Sequence, residues 1–254
     1  MGTFSTAIWW SGDLMIALLI YHAWKGRLFA RYPYFFGYIG LIGCSTIARF
    51  CLSMAASAEQ YRFGFWTTEF LGAIGGFGVT WEIYAQILEP YRGLRRMTRA
   101  VLSTLLVLVV AKGLVGLADG PLQSLGPTTV ELLRNLRALQ ALLLLALVGL
   151  VVHYAVPLGR NTRSILMGYG LYIGCHVIAL GFRSQFGTSV EMWRDLLQRL
   201  AYLAALIIWC VGMWAYAPNP VPNNLIEADY DRISERTSRA FGRLRAHVLQ
   251  SWRP

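Results

Sequence analysis

The chain has little charge. Asp, Glu, Lys and Arg make up 14% of its 254 residues, against 56% hydrophobic residues. A soluble domain carries roughly a quarter charged residues, so this composition, with a mean hydropathy of +0.47, excludes an ordinary water-exposed fold. Lysine is scarcer still, with Lys25 and Lys112 alone. The four cysteines, Cys44, Cys51, Cys175 and Cys210, all lie in apolar runs without CxxC spacing. That excludes a cysteine-based metal or redox motif and predicts small buried hydrophobes. The N-terminus, MGTFSTAIWW, has neither a basic region nor a small-residue cleavage site, so no cleaved signal peptide is expected. No nucleophile–base pair and no metal-ligand spacing is present. We therefore assign no catalytic residue, and an enzyme is the least supported function.

What is abundant is apolar sequence. Seven segments, 6–24, 33–56, 63–88, 100–118, 132–157, 163–185 and 192–216, approach or exceed the ~20 residues that cross hydrocarbon. The fold class expected is an all-α polytopic membrane protein with seven transmembrane helices, in a plasma (inner) membrane. Arginine-rich loops alternate with poorer ones. Lys25, Arg27 and Arg31 lie in the first, Arg92, Arg95, Arg96 and Arg99 in the third, and Arg160 and Arg163 in the fifth. The positive-inside rule then puts the N-terminus outside and the C-terminus in the cytoplasm. Trp9, Trp10, Trp24, Trp66, Trp81, Trp193, Trp209 and Trp214 fall mostly near span ends, as an aromatic belt would.

One stretch is written twice. GYIGLIGCSTIA (37–48) and GYGLYIGCHVIA (168–179) agree at Gly37, Tyr38, Ile42, Gly43, Cys44, Ile47 and Ala48 with a fixed offset of 131, and the same offset carries His22 onto His153. This predicts a 3+1+3 parallel repeat within a transmembrane domain 1–217: repeat A over 6–88, a linker helix over 100–118 and repeat B over 132–216. Parallel copies are related by an axis along the membrane normal. In layout alone this is similar to SWEET-type sugar transporters and, more loosely, to rhodopsins. The proline–glutamine dipeptide of such transporters, a span-7 lysine for retinal and the HxxxH pair of seven-helix zinc hydrolases are all missing from the sequence, so no site residue is carried over.

Charge within the spans is costly, at least ~2.5–3.5 kcal/mol for a group at the bilayer centre, and marks candidate sites. Asp13, Arg49 and Glu69 share one layer in the outer half, with Lys112, Arg137 and Arg199 at similar depth and His176 slightly deeper. Cations outnumber carboxylates in this layer. Arg49 and Glu69, on sequential helices, are the expected pair. The excess arginine points to a small anionic ligand, or to a closed polar network with Arg134, Arg183 and Arg194 snorkelling to headgroups. Gly72, Gly75, Gly76 and Gly78 mark close helix approach in span 3. Glu82 lies in the inner half as a candidate gating acid or a bonded polar residue.

His22 and His153 would be the ligands of a haem, the one cofactor the sequence raises; interfacial histidines are the simpler reading, and no cofactor is expected. Residues 218–254 form a second, cytoplasmic unit. Pro218, Pro220 and Pro222 break the last span, and 225–252 reads as a basic amphipathic helix suited to a membrane surface or to a cytoplasmic protein partner. The partners expected are the lipid bilayer, the small anionic ligand and that protein; nucleic acid is not among them. Three functions follow. A carrier for a small anionic solute comes first by a narrow margin, then a seven-helix receptor or sensor subunit, then an accessory subunit of a larger membrane complex.

Overall fold

The computed structural model describes residues 3–55, 57–118, 125–186, 191–220 and 231–232. The expected tail helix over 225–252 lies outside the described residues. So do the side chains of Lys112, Arg183 and Arg194.

Among the described residues the fold is helical, with no strand. In chain order the helices are α1 (Thr3–Lys25), α2 (Pro33–Ala55), α3 (Ala58–Ile87), α4 (Arg92–Ala118), α5 (Leu125–His153), α6 (Arg160–Phe186) and α7 (Glu191–Gly212), with one 3₁₀ turn, Leu28–Ala30, between α1 and α2. Three stretches are long and apolar enough to cross a membrane: Pro33–Ala55, Arg134–His153 and Asp195–Gly212. They suggest a membrane protein. Large apolar side chains such as Leu14, Ile47, Leu145 and Val211 lie on the bundle surface.

Local chemistry sets the helix ends. Pro33 opens α2, where its missing N–H is one that the helix leaves unpaired anyway. Ser57 and Gln60 form a capping box at the start of α3: the Ser57 hydroxyl accepts the Gln60 amide at 3.4 Å, and Gln60 Oε1 accepts the Ser57 amide at 3.0 Å. Helix α4 begins at Arg92 and α5 at Leu125, both well before the apolar runs at 100 and 132. Hydropathy marks the apolar core of a helix; in α4 the arginines, good helix formers, extend it beyond that core, whereas in α5 the added first turn holds Pro127, which a helix tolerates near its start.

Each helix packs against the next, and α1 packs against α7, which closes a ring. Helix α3 also meets α5 and α6 and so runs through the middle. The core is apolar and aromatic, with Leu19, Phe35, Phe36, Phe77, Leu147 and Tyr169 almost fully buried. Two expectations are corrected here. Trp209 is not part of an aromatic belt: it is 1% exposed and sits edge-to-face with Phe35 at 5.2 Å. The cysteines are free, but Cys44 and Cys51 are exposed rather than buried, because α2 turns that side away from α1 and α3.

At the Lys25 end of the bundle, the segment leaving α7 is tied back. Asn161, at the start of α6, donates to the carbonyls of Gly212 (3.0 Å) and Ala215 (3.1 Å) and accepts the Ala217 amide (2.6 Å). Asn219 Oδ1 accepts from the Gly159 amide and the Thr162 hydroxyl, both at 3.1 Å. Trp214 stacks on His22 at 4.0 Å, and Arg31 lies 3.7 Å over the Tyr216 ring.

Candidate functional site

Helix α3 presents Glu69, Ala73, Gly76 and Thr80 at spacings of four, three and four. Such spacing lines up one face of a helix, here over about 16 Å at 1.5 Å per residue. The expected Arg49–Glu69 pair is present at the Ser57 end of that face. Arg49 Nη2 lies 3.0 Å from Glu69 Oε1, while its Nε donates to the Thr68 hydroxyl at 2.8 Å. The Arg49 guanidinium also covers the Phe65 ring at 4.7 Å. Both members of the pair are about a quarter exposed at the side chain (27%).

The same carboxylate faces a second cation from another helix. Arg137 on α5 is 7% exposed, and its Nη2 is 3.8 Å from Glu69 Oε2. That is an ion-pair distance but too long for a hydrogen bond. The Arg137 guanidinium lies 5.7 Å from the centre of the Tyr172 ring, within cation–π reach. Arg49 and Arg137 therefore share one carboxylate, and among the described residues no second carboxylate pairs with either, so the three-residue cluster carries one excess positive charge.

One turn along α5 from Arg137, Gln140 is fully buried. Its Nε2 donates to the Ala73 carbonyl at 3.0 Å, whereas its Oε1 has no hydrogen-bond partner. The orientation of the amide is fixed by chemistry: a flipped amide would set its oxygen against the Ala73 carbonyl. Gly76 makes room for this layer. A Cβ there would collide with the Tyr169 hydroxyl and stand 3.3 Å from Gln140 Nε2.

Tyrosines complete the surroundings. Tyr38 and Tyr169, matched at the offset of 131, meet edge-to-face at 5.9 Å. Tyr172 meets Tyr202 at 6.1 Å and His176 at 5.9 Å, and His176 Nδ1 lies 3.3 Å from Gln198 Nε2. Asp13 is half-buried, next to Gly12, whose Cβ would touch Tyr202 at 3.4 Å.

Of the residues singled out from sequence, Arg49, Glu69 and Arg137 converge. His176 joins the tyrosines, and Asp13 lies near them. Arg199 is exposed on α7. Glu82 is buried and accepts the backbone amides of Tyr34 (3.2 Å) and Phe35 (2.8 Å), which makes it the N-terminal cap of α2. His22 stacks on Trp214, while the exposed His153 lies beside Tyr154. Gln140 and the tyrosines were missed from sequence. Gln140 had a signal: it is an uncharged polar residue in an apolar run, three residues from Arg137 and so on its face.

Comparison with protein-family profiles, with curated proteins and with solved structures finds no match to the chain.

Proposed function

We propose that the chain is a seven-span protein of a plasma (inner) membrane, N-terminus outside, that binds a small anionic ligand at Arg137 in the outer half of the bundle. The observation that carries this reading is the buried guanidinium whose nearest carboxylate oxygen is 3.8 Å away and shared with Arg49. A buried cation in apolar surroundings calls for pairing. An anion held by the free guanidinium N–H groups would pair Arg137 and neutralise the cluster.

A sensor or receptor subunit is the form we favour. A carrier needs polar groups that continue from the outer site to the inner face. Here the inner acid, Glu82, is bound to backbone amides, and it is buried, as are Phe35, Ile83 and Trp209. A closed inner half suits a protein that reports occupancy through the segment leaving α7 and the basic tail beyond it. The tail would then dock on a cytoplasmic protein or on lipid headgroups.

The carrier reading keeps one supporting observation. Contacts of α1 with α7 mirror those of α5 with α3, and the matched tyrosines Tyr38 and Tyr169 meet at the centre. Both fit two three-helix repeats about a shared axis, the arrangement that rocks in alternating access.

The test is a thermal-unfolding screen of small anions on the purified protein, followed by uptake of any hit into proteoliposomes. A hit that stabilises the wild type and loses its effect in Arg137→Met supports the anion site. Uptake then selects the carrier, and binding without uptake selects the sensor. If every stabilising anion acts equally on Arg137→Met, the site is elsewhere and the reading fails.

A further inference from the structure

The anion site has a second pole. Arg137 and Gln140 are three residues apart on α5, about 4.5 Å along the helix axis, and both face α3, through Glu69 and the Ala73 carbonyl. Arg137 offers only N–H donors. Gln140 offers an acceptor, Oε1, that is buried and unmet. The Tyr169 hydroxyl, which also lies against the Cβ position of Gly76, does not meet it either. Buried acceptors are rarely left open, because each costs about 1–3 kcal/mol.

We infer that the ligand carries a carboxylate for Arg137 and, on the adjacent carbon, an N–H or O–H donor for Gln140 Oε1, which is the chemistry of an α-amino or α-hydroxy acid. The inference rests on the anion site proposed above and narrows it; an α-hydroxy acid also neutralises the cluster, whereas an α-amino acid, a zwitterion at neutral pH, pairs Arg137 through its carboxylate and leaves the net charge unchanged. The two groups project from adjacent turns of one helix face, which suits a small molecule rather than a long chain. An amine has a further partner in the tyrosine face: the Tyr172 ring beside Arg137 would accept an ammonium by cation–π attraction. Glu69 lies on the same side to balance it.

A simple carboxylate leaves Gln140 Oε1 unmet. A lipid phosphodiester does the same once ionised, because it then has no P–OH; free inorganic phosphate keeps a P–OH donor at neutral pH and is tested separately. A site built to meet a donor rejects analogues that lack it, because their binding leaves a buried acceptor unpaired.

The experiment uses the full chain in lipid nanodiscs and two matched series. One is propionate, L-lactate and L-alanine; the other is 3-phenylpropionate, L-phenyllactate and L-phenylalanine. Inorganic phosphate is added as a fourth type of probe. Affinities are read from the shift in thermal unfolding. In at least one series the hydroxy or amino acid should bind tenfold or more tightly than its plain carboxylate. The preference between the two names the donor. Gln140→Leu should erase the advantage while plain-carboxylate binding stays within about twofold, as expected when only the hydrogen-bond partner is removed. Where Gln140→Leu does not fold, the wild-type preference decides alone.

Equal binding of plain and substituted acids overturns this inference and leaves the anion site standing, as does phosphate binding in preference to every carboxylate. Absence of binding by all the probes overturns the inference too. Probe binding that survives Arg137→Met overturns the anion site itself.

Discussion

Glu82 on α3 holds the first turn of α2: its Oε2 accepts the Phe35 amide at 2.8 Å, and its Oε1 accepts the Tyr34 amide at 3.2 Å. These are two of the N–H groups that a helix cannot satisfy within itself, and the carboxylate also faces the positive end of the helix dipole. The start of α2 and the end of α3, 47 and 48 residues apart in sequence, are thereby held together. Glu82→Ala should destabilise the protein by about 1–3 kcal/mol, the cost of leaving buried donors unmet. Glu82→Gln keeps an acceptor and should cost less. Unfolding in detergent measures both. A Glu82→Gln variant of unchanged stability but altered ligand binding or movement would return this residue to the role of a gate.

The shared carboxylate gives opposite expectations for its partners. Replacing Glu69 by Leu leaves Arg137 buried without a counter-charge, and breaking a buried pair in this way costs about 3–5 kcal/mol. Arg137→Met instead removes the poorly paired cation and leaves Arg49 with Glu69. Stability should hold or rise, as it often does when a buried charge gives way to an apolar side chain of similar size. Arg49→Leu removes a partly exposed partner and should cost about 1 kcal/mol, the range of half-solvated ion pairs. Chemical unfolding of the three variants in one detergent compares them. An Arg137→Met protein less stable than Glu69→Leu would show Arg137 to be a structural rather than a ligand-holding cation.

The helices were legible in the sequence and their facing was not. Hydropathy gave each apolar helix, and three of the charges it singled out, Arg49, Glu69 and Arg137, meet. Their convergence depends on the rotation of α2, α3 and α5, which hydropathy constrains weakly when both faces of a helix are apolar. Arg199 illustrates the limit: it lies on an exposed face despite a similar expected depth. The role of Glu82 was hidden because its partners are backbone amides 47 and 48 residues away, which no side-chain pattern reports. Helix starts were hidden for a different reason, since the capping box at Ser57 and the arginines of α4 lie beyond the apolar windows.

Two glycines matched at the offset of 131 make unequal demands. A Cβ at Gly168 would strike the Trp209 indole nitrogen, whereas one at Gly37, its match at the offset of 131, would meet nothing within 4 Å. Trp209 is fixed by Phe35 and buried, so it cannot yield. Gly168→Ala should cost about 1–3 kcal/mol, as overpacked cores do. Gly37→Ala should be neutral or stabilise by up to about 1 kcal/mol, the difference in helix propensity. Thermal unfolding of the two single variants tests this directly, and equal effects would mean that the Trp209 contact is not a constraint.

Asn161 controls how the chain leaves α7. Its amide holds Gly212, Ala215 and Ala217 together, and it is fully buried, so no water stands ready to replace it. Asn161→Leu should leave these backbone groups unmet and cost about 1–3 kcal/mol per group that fails to find a new partner. The loss should also be local, because Asn219 and the Trp214–His22 stack sit on the same segment. Limited proteolysis should therefore cut near residues 215–220 faster in Asn161→Leu than in the wild type, at a protease level that leaves the helices intact. A sensor that reports through this segment should also lose the link between ligand and tail. In Asn161→Leu, ligand should still bind with wild-type affinity but no longer protect the segment from cleavage. If ligand protects both proteins equally, the knot at Asn161 is a structural clasp and plays no part in signalling.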